Sequence, residues 1–291
     1  MSLPLAVAVP AALGAAAYLN AKSALWYDAL MLRGIFRGVA GMAYGGWTDR
    51  LNLFYALEGR AASASHANKP ALLFDGTTYT YSELYDRVLR YGNYLRSEVG
   101  IRPGDVVAMD FQNSDAFIFI WWGLWSIGAK PAFINYNLTS KPLAHCVKAA
   151  TASVCLVDAD TAKNFEDEVV RKEAAGVQVV VFDEARKAAA SRSEPVRRPD
   201  SDRSDKAPGS MGILIYTSGT TGLPKPAIVS WAKLHVSSMF SVNLLGRGND
   251  IMYTRPSSAS PPPFSAAAPS RSAASSRPRP FGPRCAPRRP P

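Results

Sequence analysis

Hydrophobic and polar positions change their period several times along the chain. From Leu3 to Leu19 the residues are mostly Ala, Val and Leu, interrupted by Pro4 and Pro10, and no charged side chain occurs before Lys22. This run is short for a spanning helix, which needs roughly 20 apolar residues, and a proline inside it removes a hydrogen bond that lipid cannot replace. It is read as a membrane span or embedded anchor. The alternatives are a cleaved leader ending near Ala15 to Ala17, for which the opening basic residues are missing, and a buried helix. Lys22, Arg33, Arg37 and Arg50 outnumber Asp28 and Asp49 just beyond it, which places the following domain on the cytosolic side. Residues 23–47, rich in Trp, Tyr, Leu and Gly, fit a second membrane-surface segment.

Beyond residue 50 strand-like and helix-like periods alternate, the mark of an α/β fold. Residues 71–74 and 77–80 flank Asp75-Gly76, a hairpin signal. A helix is predicted over 81–99, with Ser82 as its cap, with Leu84, Val88, Tyr91 and Leu95 on one face, and with Gly100 as its stop. A buried strand over 106–111 precedes a helix over 115–127, capped by Asn113 or Ser114 and ended by Gly128. That helix is apolar nearly all round. The uncharged run, 14 residues over 116–129, is too short to span, so this is read as a core helix rather than a lipid-facing one. Further strands are predicted over 132–134, 154–157 and 177–182, and a helix over 143–150. Residues 184–209, rich in Arg, Ser, Pro, Asp and Lys, are predicted to be a solvated loop.

Composition changes this picture at the far end. Of the formal charge of +10, seven arginines fall within residues 255–291, where no acid occurs; the rest of the chain has 26 basic against 23 acidic residues. The basic balance is thus a property of a tail, and a nucleic-acid partner is not expected for the domain. The tail contains 11 Pro and 8 Ser but no Leu, Ile or Val, so it cannot bury a core and is expected to be disordered. Two origins fit that composition: a frame change or retained intron in a GC-rich gene, or a true basic tail for acidic lipid or RNA.

Cys146, Cys155 and Cys285 are too few and too scattered for a disulfide framework or a zinc site, which fits a reducing, cytosol-facing compartment. His145 beside Cys146 is read as structural, since adjacent helical positions point apart and no third ligand is in view. Asn137-Leu138-Thr139 matches the glycosylation sequon, which a cytosolic domain does not use.

Chemistry concentrates at Ile213-Leu214-Ile215-Tyr216-Thr217-Ser218-Gly219-Thr220-Thr221-Gly222-Leu223-Pro224-Lys225. An apolar strand runs into a loop of small and hydroxylated residues closed by lysine, and a helix is predicted to begin near Ser230. Phosphate oxygens need several short donors at once. Glycine amides supply them because no Cβ blocks close approach, the hydroxyls of Thr217, Ser218, Thr220 and Thr221 add more, and Lys225 adds charge. A Walker A loop has Lys directly after its second glycine. Here Leu223 and Pro224 intervene after Gly222, so this is a different polyphosphate loop.

Tyr216 to Lys225 resembles the AMP-binding signature of the adenylate-forming superfamily. The likeness extends over about residues 70–254, through Phe74-Asp75-Gly76, Pro103-Gly104-Asp105 and Gly128-Ala129. Within that superfamily, Ile134-Asn135-Tyr136-Asn137-Leu138 and Leu143-Ala144-His145-Cys146 resemble the fatty acid transport proteins, which double as very-long-chain acyl-CoA synthetases. The fold implied is the incomplete N-terminal part of an acyl-CoA synthetase-like large domain over 51–254, after a membrane-associating segment at 1–50 and before the tail.

The activity implied is ATP-dependent conversion of a long or very long fatty acid to acyl-CoA through an acyl-adenylate. By resemblance, Tyr216, Thr217, Ser218, Gly219, Thr220, Thr221, Gly222 and Lys225 hold the ATP phosphates, and Thr220 or Thr221 positions magnesium. The family's Thr-Glu pair, ribose aspartate, hinge and C-terminal lysine are not found here, nor is a CoA site. The chain is therefore expected to be inactive alone. The alternatives are a membrane-associated fatty-acid-binding component without ligase activity, and a fragment with no function.

Overall fold

The computed structural model describes residues 5–217 and 222–240. It opens with two helices, α1 (Leu5–Ser23) and α2 (Leu25–Trp47). α2 buries Gly34, Gly38 and Gly45 but leaves Trp26, Phe36 and Trp47 at 68%, 73% and 82% exposure. Among the described residues no helix is long and apolar enough to cross a membrane, so the spanning form of the N-terminal expectation is not met. α1 is built largely of alanine and carries Pro10 inside it, which lowers its apolar content per turn.

A short helix, α3 (Phe54–Ala61), leads to the hairpin of β1 (Pro70–Phe74) and β2 (Thr77–Thr80). Its turn is Asp75-Gly76, both at positive φ, as that dipeptide predicts. In α4 (Tyr81–Ser97) the cap is Thr80, not Ser82. Thr80 ends the strand in the extended conformation a cap requires, whereas Ser82 is already inside the helix. The Thr80 hydroxyl accepts from the Glu83 amide at 3.2 Å, and the Glu83 carboxylate accepts from the Thr80 amide at 2.8 Å, closing a capping box.

The centre of the molecule is a six-stranded sheet. Its elements run β3 (Val106–Asp110), α5 (Asp115–Ser126), β4 (Lys130–Ile134), α6 (Ser140–Ala149), β5 (Val154–Asp158), α7 (Glu168–Glu173), β6 (Gln178–Phe182), α8 (Glu184–Arg192), β7 (Met211–Thr217), β8 (Lys225–Ser230) and α9 (Trp231–Phe240). The strand order is β6-β5-β3-β4-β7-β8, with only the β7–β8 pair antiparallel. After β4 the chain crosses β3 through α6 to reach β5, so the helices divide between the two faces. α4, α5 and α8 cover one core with Val107, Met109 and Leu156 beneath them; α6 and α7 cover the other over Ala108, Cys155 and Val157. The period of two along each strand feeds alternate side chains to the two cores.

α5 is a core helix, as expected from its length: Phe119, Ile120, Leu124 and Trp125 are buried. Its cap is Ser114, whose hydroxyl accepts from the Phe117 amide. Residues 184–209 differ from the expected solvated loop. Asp183 caps α8, and residues 200–203 form a 3-10 turn. The charges of this stretch are used in pairs over a distance no local pattern records. Arg197 makes a bidentate pair with Glu58, and buried Arg203 donates to the carbonyls of Ser126 and Arg198 with its guanidinium 4.7 Å over the Phe54 ring. Gly128, at φ +79°, lets the turn approach: a Cβ there would lie 1.8 Å from the Asp202 carbonyl oxygen.

Candidate functional site

The loop singled out by the sequence closes a β-hairpin. β7 alternates Ile213 into one core and Leu214 into the other, and the buried Trp125 indole donates to the Gly212 carbonyl at 3.0 Å, locking the strand to α5. Trp231 packs tilted against Trp125, ring centroids 5.4 Å apart, and donates to Asp205, which holds the return limb in place. The expectation of a loop leading straight into a helix missed β8, which pairs along β7 from Lys225 to Ser230 before α9 begins. Thr217 and Lys225 are partners in register, so residues 218–224 are the connection between them. Both side chains are exposed at its base, and the Thr217 hydroxyl donates to the Lys225 carbonyl at 3.4 Å. Gly222 has φ +85°, a conformation that costs other residues roughly 1 kcal/mol or more.

Each limb of this hairpin is also bonded to α6. On the β7 limb, the Tyr216 hydroxyl donates to the Cys146 carbonyl at 2.6 Å, and burial pushes the phenol pKa far up, so the proton stays on it. On the return limb, His145 Nε2 lies 3.0 Å from the Pro224 carbonyl oxygen. A carbonyl only accepts, so this nitrogen carries the proton and donates.

Of the expected phosphate-binding residues, the structure brings Tyr216, Thr217, Gly222 and Lys225 together at the base of the hairpin. Ser218, Gly219, Thr220 and Thr221, and with them the expected magnesium contact, lie outside the described residues, as do residues 241–291 and the expected disordered tail. Among the described residues no group of three His, Cys, Asp or Glu could hold a metal ion. Cys146 is not a nucleophile at neutral pH: burial, then the nearby Asp110, pushes its thiol up to about 11. The bond from His145 to the loop was not visible in the sequence, because 79 residues separate it from Pro224. The adjacent His-Cys pair drew attention to the position but gave no hint of its partner.

A second unforeseen group is Asp110, at the carboxyl end of β3. It is completely buried, its two carboxylate oxygens have no hydrogen-bond partner among the described residues, and burial pushes its pKa up to about 7. Its signal in the sequence is an acid closing the apolar run of β3.

Comparison with known proteins places this geometry. The profile of the AMP-binding enzyme family matches residues 59–267. The very long-chain fatty acid transport protein of Cochliobolus heterostrophus is 31% identical over 265 residues, 87% of this chain and 40% of that protein. Its namesake from Saccharomyces cerevisiae is 35% identical over 187 residues, 61% of this chain and 28% of that protein. The chain thus spans less than half the length of either relative. Among solved structures, a Mycobacterium tuberculosis fatty acyl CoA synthetase shares the fold with a TM-score of 0.53 and 19% identity, over 62% of this chain and 35% of its own. A mixed sheet with a Tyr-Thr-Ser-Gly-Thr-Thr-Gly-Leu-Pro-Lys hairpin, matched by the family profile over most of its length, makes this chain a member of the AMP-binding, adenylate-forming enzyme family, with fatty acid transport proteins among its relatives.

Proposed function

We propose that this chain carries the ATP-phosphate site of a fatty acyl-CoA ligase of the long- or very-long-chain type, facing the cytosol at a membrane surface and coupled to fatty acid uptake. The observation that supports it most is the register pair Thr217–Lys225, which sets a lysine at the mouth of a Gly/Ser/Thr connection. In this reading the residues from Tyr216 to Gly222 present amides and hydroxyls to the β and γ phosphates, and Lys225 stabilises the charge that grows on departing pyrophosphate. Magnesium would supply further charge neutralisation, with the hydroxyls of Thr220 or Thr221 as its holders. The fatty acid carboxylate attacks the α phosphorus and expels pyrophosphate; the CoA thiolate then displaces AMP. The expected first result is MgATP binding by this chain.

Lys225→Met tests the site. A charge-assisted hydrogen bond is worth about 1.5–3 kcal/mol, so calorimetric titration of the full chain with MgATP should show a loss of roughly ten- to a hundredfold in affinity. Equal affinity in the two proteins would remove Lys225 from the role.

The exposed aromatic and aliphatic side chains of α1 and α2, with Arg33 and Arg37 between them, favour contact with an anionic membrane surface. The chain should float with vesicles containing phosphatidylserine, and Phe36→Ser with Trp47→Ser should reduce the bound fraction severalfold. Flotation unchanged by that pair would count against α2 as the contact.

A further inference from the structure

The geometry points to His145 as a positioning residue that sets where the polyphosphate loop stands, an inference that rests on the phosphate reading of that loop. Successive residues of α6 hold the two limbs of one hairpin: the Cys146 carbonyl receives the Tyr216 hydroxyl on the outgoing strand, and His145 donates to the Pro224 carbonyl on the return. α6 itself is fixed, with Leu143, Ala144, Cys146 and Val147 all buried in the core beneath it. Its position is therefore transmitted to the mouth of the loop through two hydrogen bonds.

The return contact carries particular weight because Pro224 has no N–H. Its carbonyl is the only backbone group through which that residue can be held. Pro224 sits between Gly222, which is at φ +85°, and Lys225, so what fixes the Pro224 carbonyl also fixes the backbone from which the lysine projects. The donor is Nε2–H, and the contact depends on the reach of that nitrogen from the helix.

That dependence separates two replacements of similar polarity. The amide nitrogen of glutamine stands at the reach of Nε2, and that of asparagine at the reach of Nδ1. The experiment measures MgATP affinity and backbone hydrogen exchange of the peptide covering 213–229 for the full-length wild type, His145→Gln, His145→Asn and His145→Ala. Loss of one hydrogen bond of ordinary strength predicts about fivefold weaker binding and faster exchange in the Asn and Ala proteins. The Gln protein should stay within about twofold of wild type on both readouts. If His145→Ala does not fold, the Gln and Asn pair decides alone. Alike affinities and alike exchange in Gln and Asn overturn the inference. If wild type binds no MgATP but exchange still sorts Gln with His and Asn with Ala, the tether stands and the nucleotide reading falls. If wild type binds and the variants do not sort, the nucleotide reading stands and the tether falls.

Discussion

At pH 8 the Asp110→Asn variant should resist urea better than the wild type, by up to about 4 kcal/mol, and the two should converge near pH 4. Asp110 is wholly buried at the carboxyl end of β3, and burial is the main cause that lifts its pKa from 3.8 to about 7, with the nearby Asp158 adding to it. Around it stand Cys146 on α6, Cys155 on β5 and the Thr161 hydroxyl, which donates to the Asp110 main-chain carbonyl. Of the groups that act on its charge only the Thr161 hydroxyl favours the charged form, and no cation does. The folded protein therefore keeps a proton that the unfolded chain releases above pH 3.8. Stability from this group is fully present below that value, declines as pH rises, and is gone above about pH 7. The carboxylates of Glu58, Asp200 and Asp205, held low by neighbouring Arg, Lys and hydrogen-bond donors, act in the opposite sense at acid pH. The difference between variant and wild type cancels them. Parallel stability curves from pH 4 to pH 8 would show that Asp110 finds a partner for its charge.

Gly128→Ala should lower stability by about 3–5 kcal/mol, read as a fall in the urea midpoint at constant slope. Two costs combine. An alanine at φ +79° is strained by roughly 1–2 kcal/mol, and its methyl would need the space now held by the Asp202 carbonyl 1.8 Å away. The second cannot be relieved by a side chain swinging aside, because the obstacle is backbone. The 200–203 turn must move, and Arg203 then loses its hold on the Ser126 and Arg198 carbonyls and on the Phe54 ring. Gly209→Ala, where a Cβ meets nothing within 4 Å, is the matching control and should change little. Equal midpoints for the two variants would mean that the turn yields freely.

What the sequence made legible was local. Asp75-Gly76 announced its hairpin because both turn residues need positive φ, and the apolar face of α4 and the stop at Gly100 followed from helical spacing. The Gly/Ser/Thr connection and its closing lysine stood out because glycine, hydroxyl and lysine in that order have few structural uses. What escaped depended on distance in sequence. Arg197 and Arg203 looked like solvated charges until Glu58 and Phe54, more than 130 residues away, arrived beside them. β8 escaped because Lys225 to Ser230 has too little apolar alternation to announce a strand, and its pairing with β7 comes from the hairpin itself. Thr80 displaced Ser82 as the cap because the end of β2, not the helix, sets the extended backbone there.

The hairpin setting of the loop has a consequence for what it can retain. In phosphate sites that run from strand to helix, the first turn of the helix aims about half a positive charge at the bound anion. Here the chain turns back as a strand, and among the described residues the next helix, α9, begins only at Trp231, so the lysine is not followed directly by a helix. On the proposed phosphate reading, an anion would be held by short-range contacts and by the Lys225 ammonium, whose charge is screened over roughly 8–10 Å at physiological salt. On that reading such a mouth would work as a gauge more than a magnet, selecting by the spacing of linked phosphates rather than by negative charge in general.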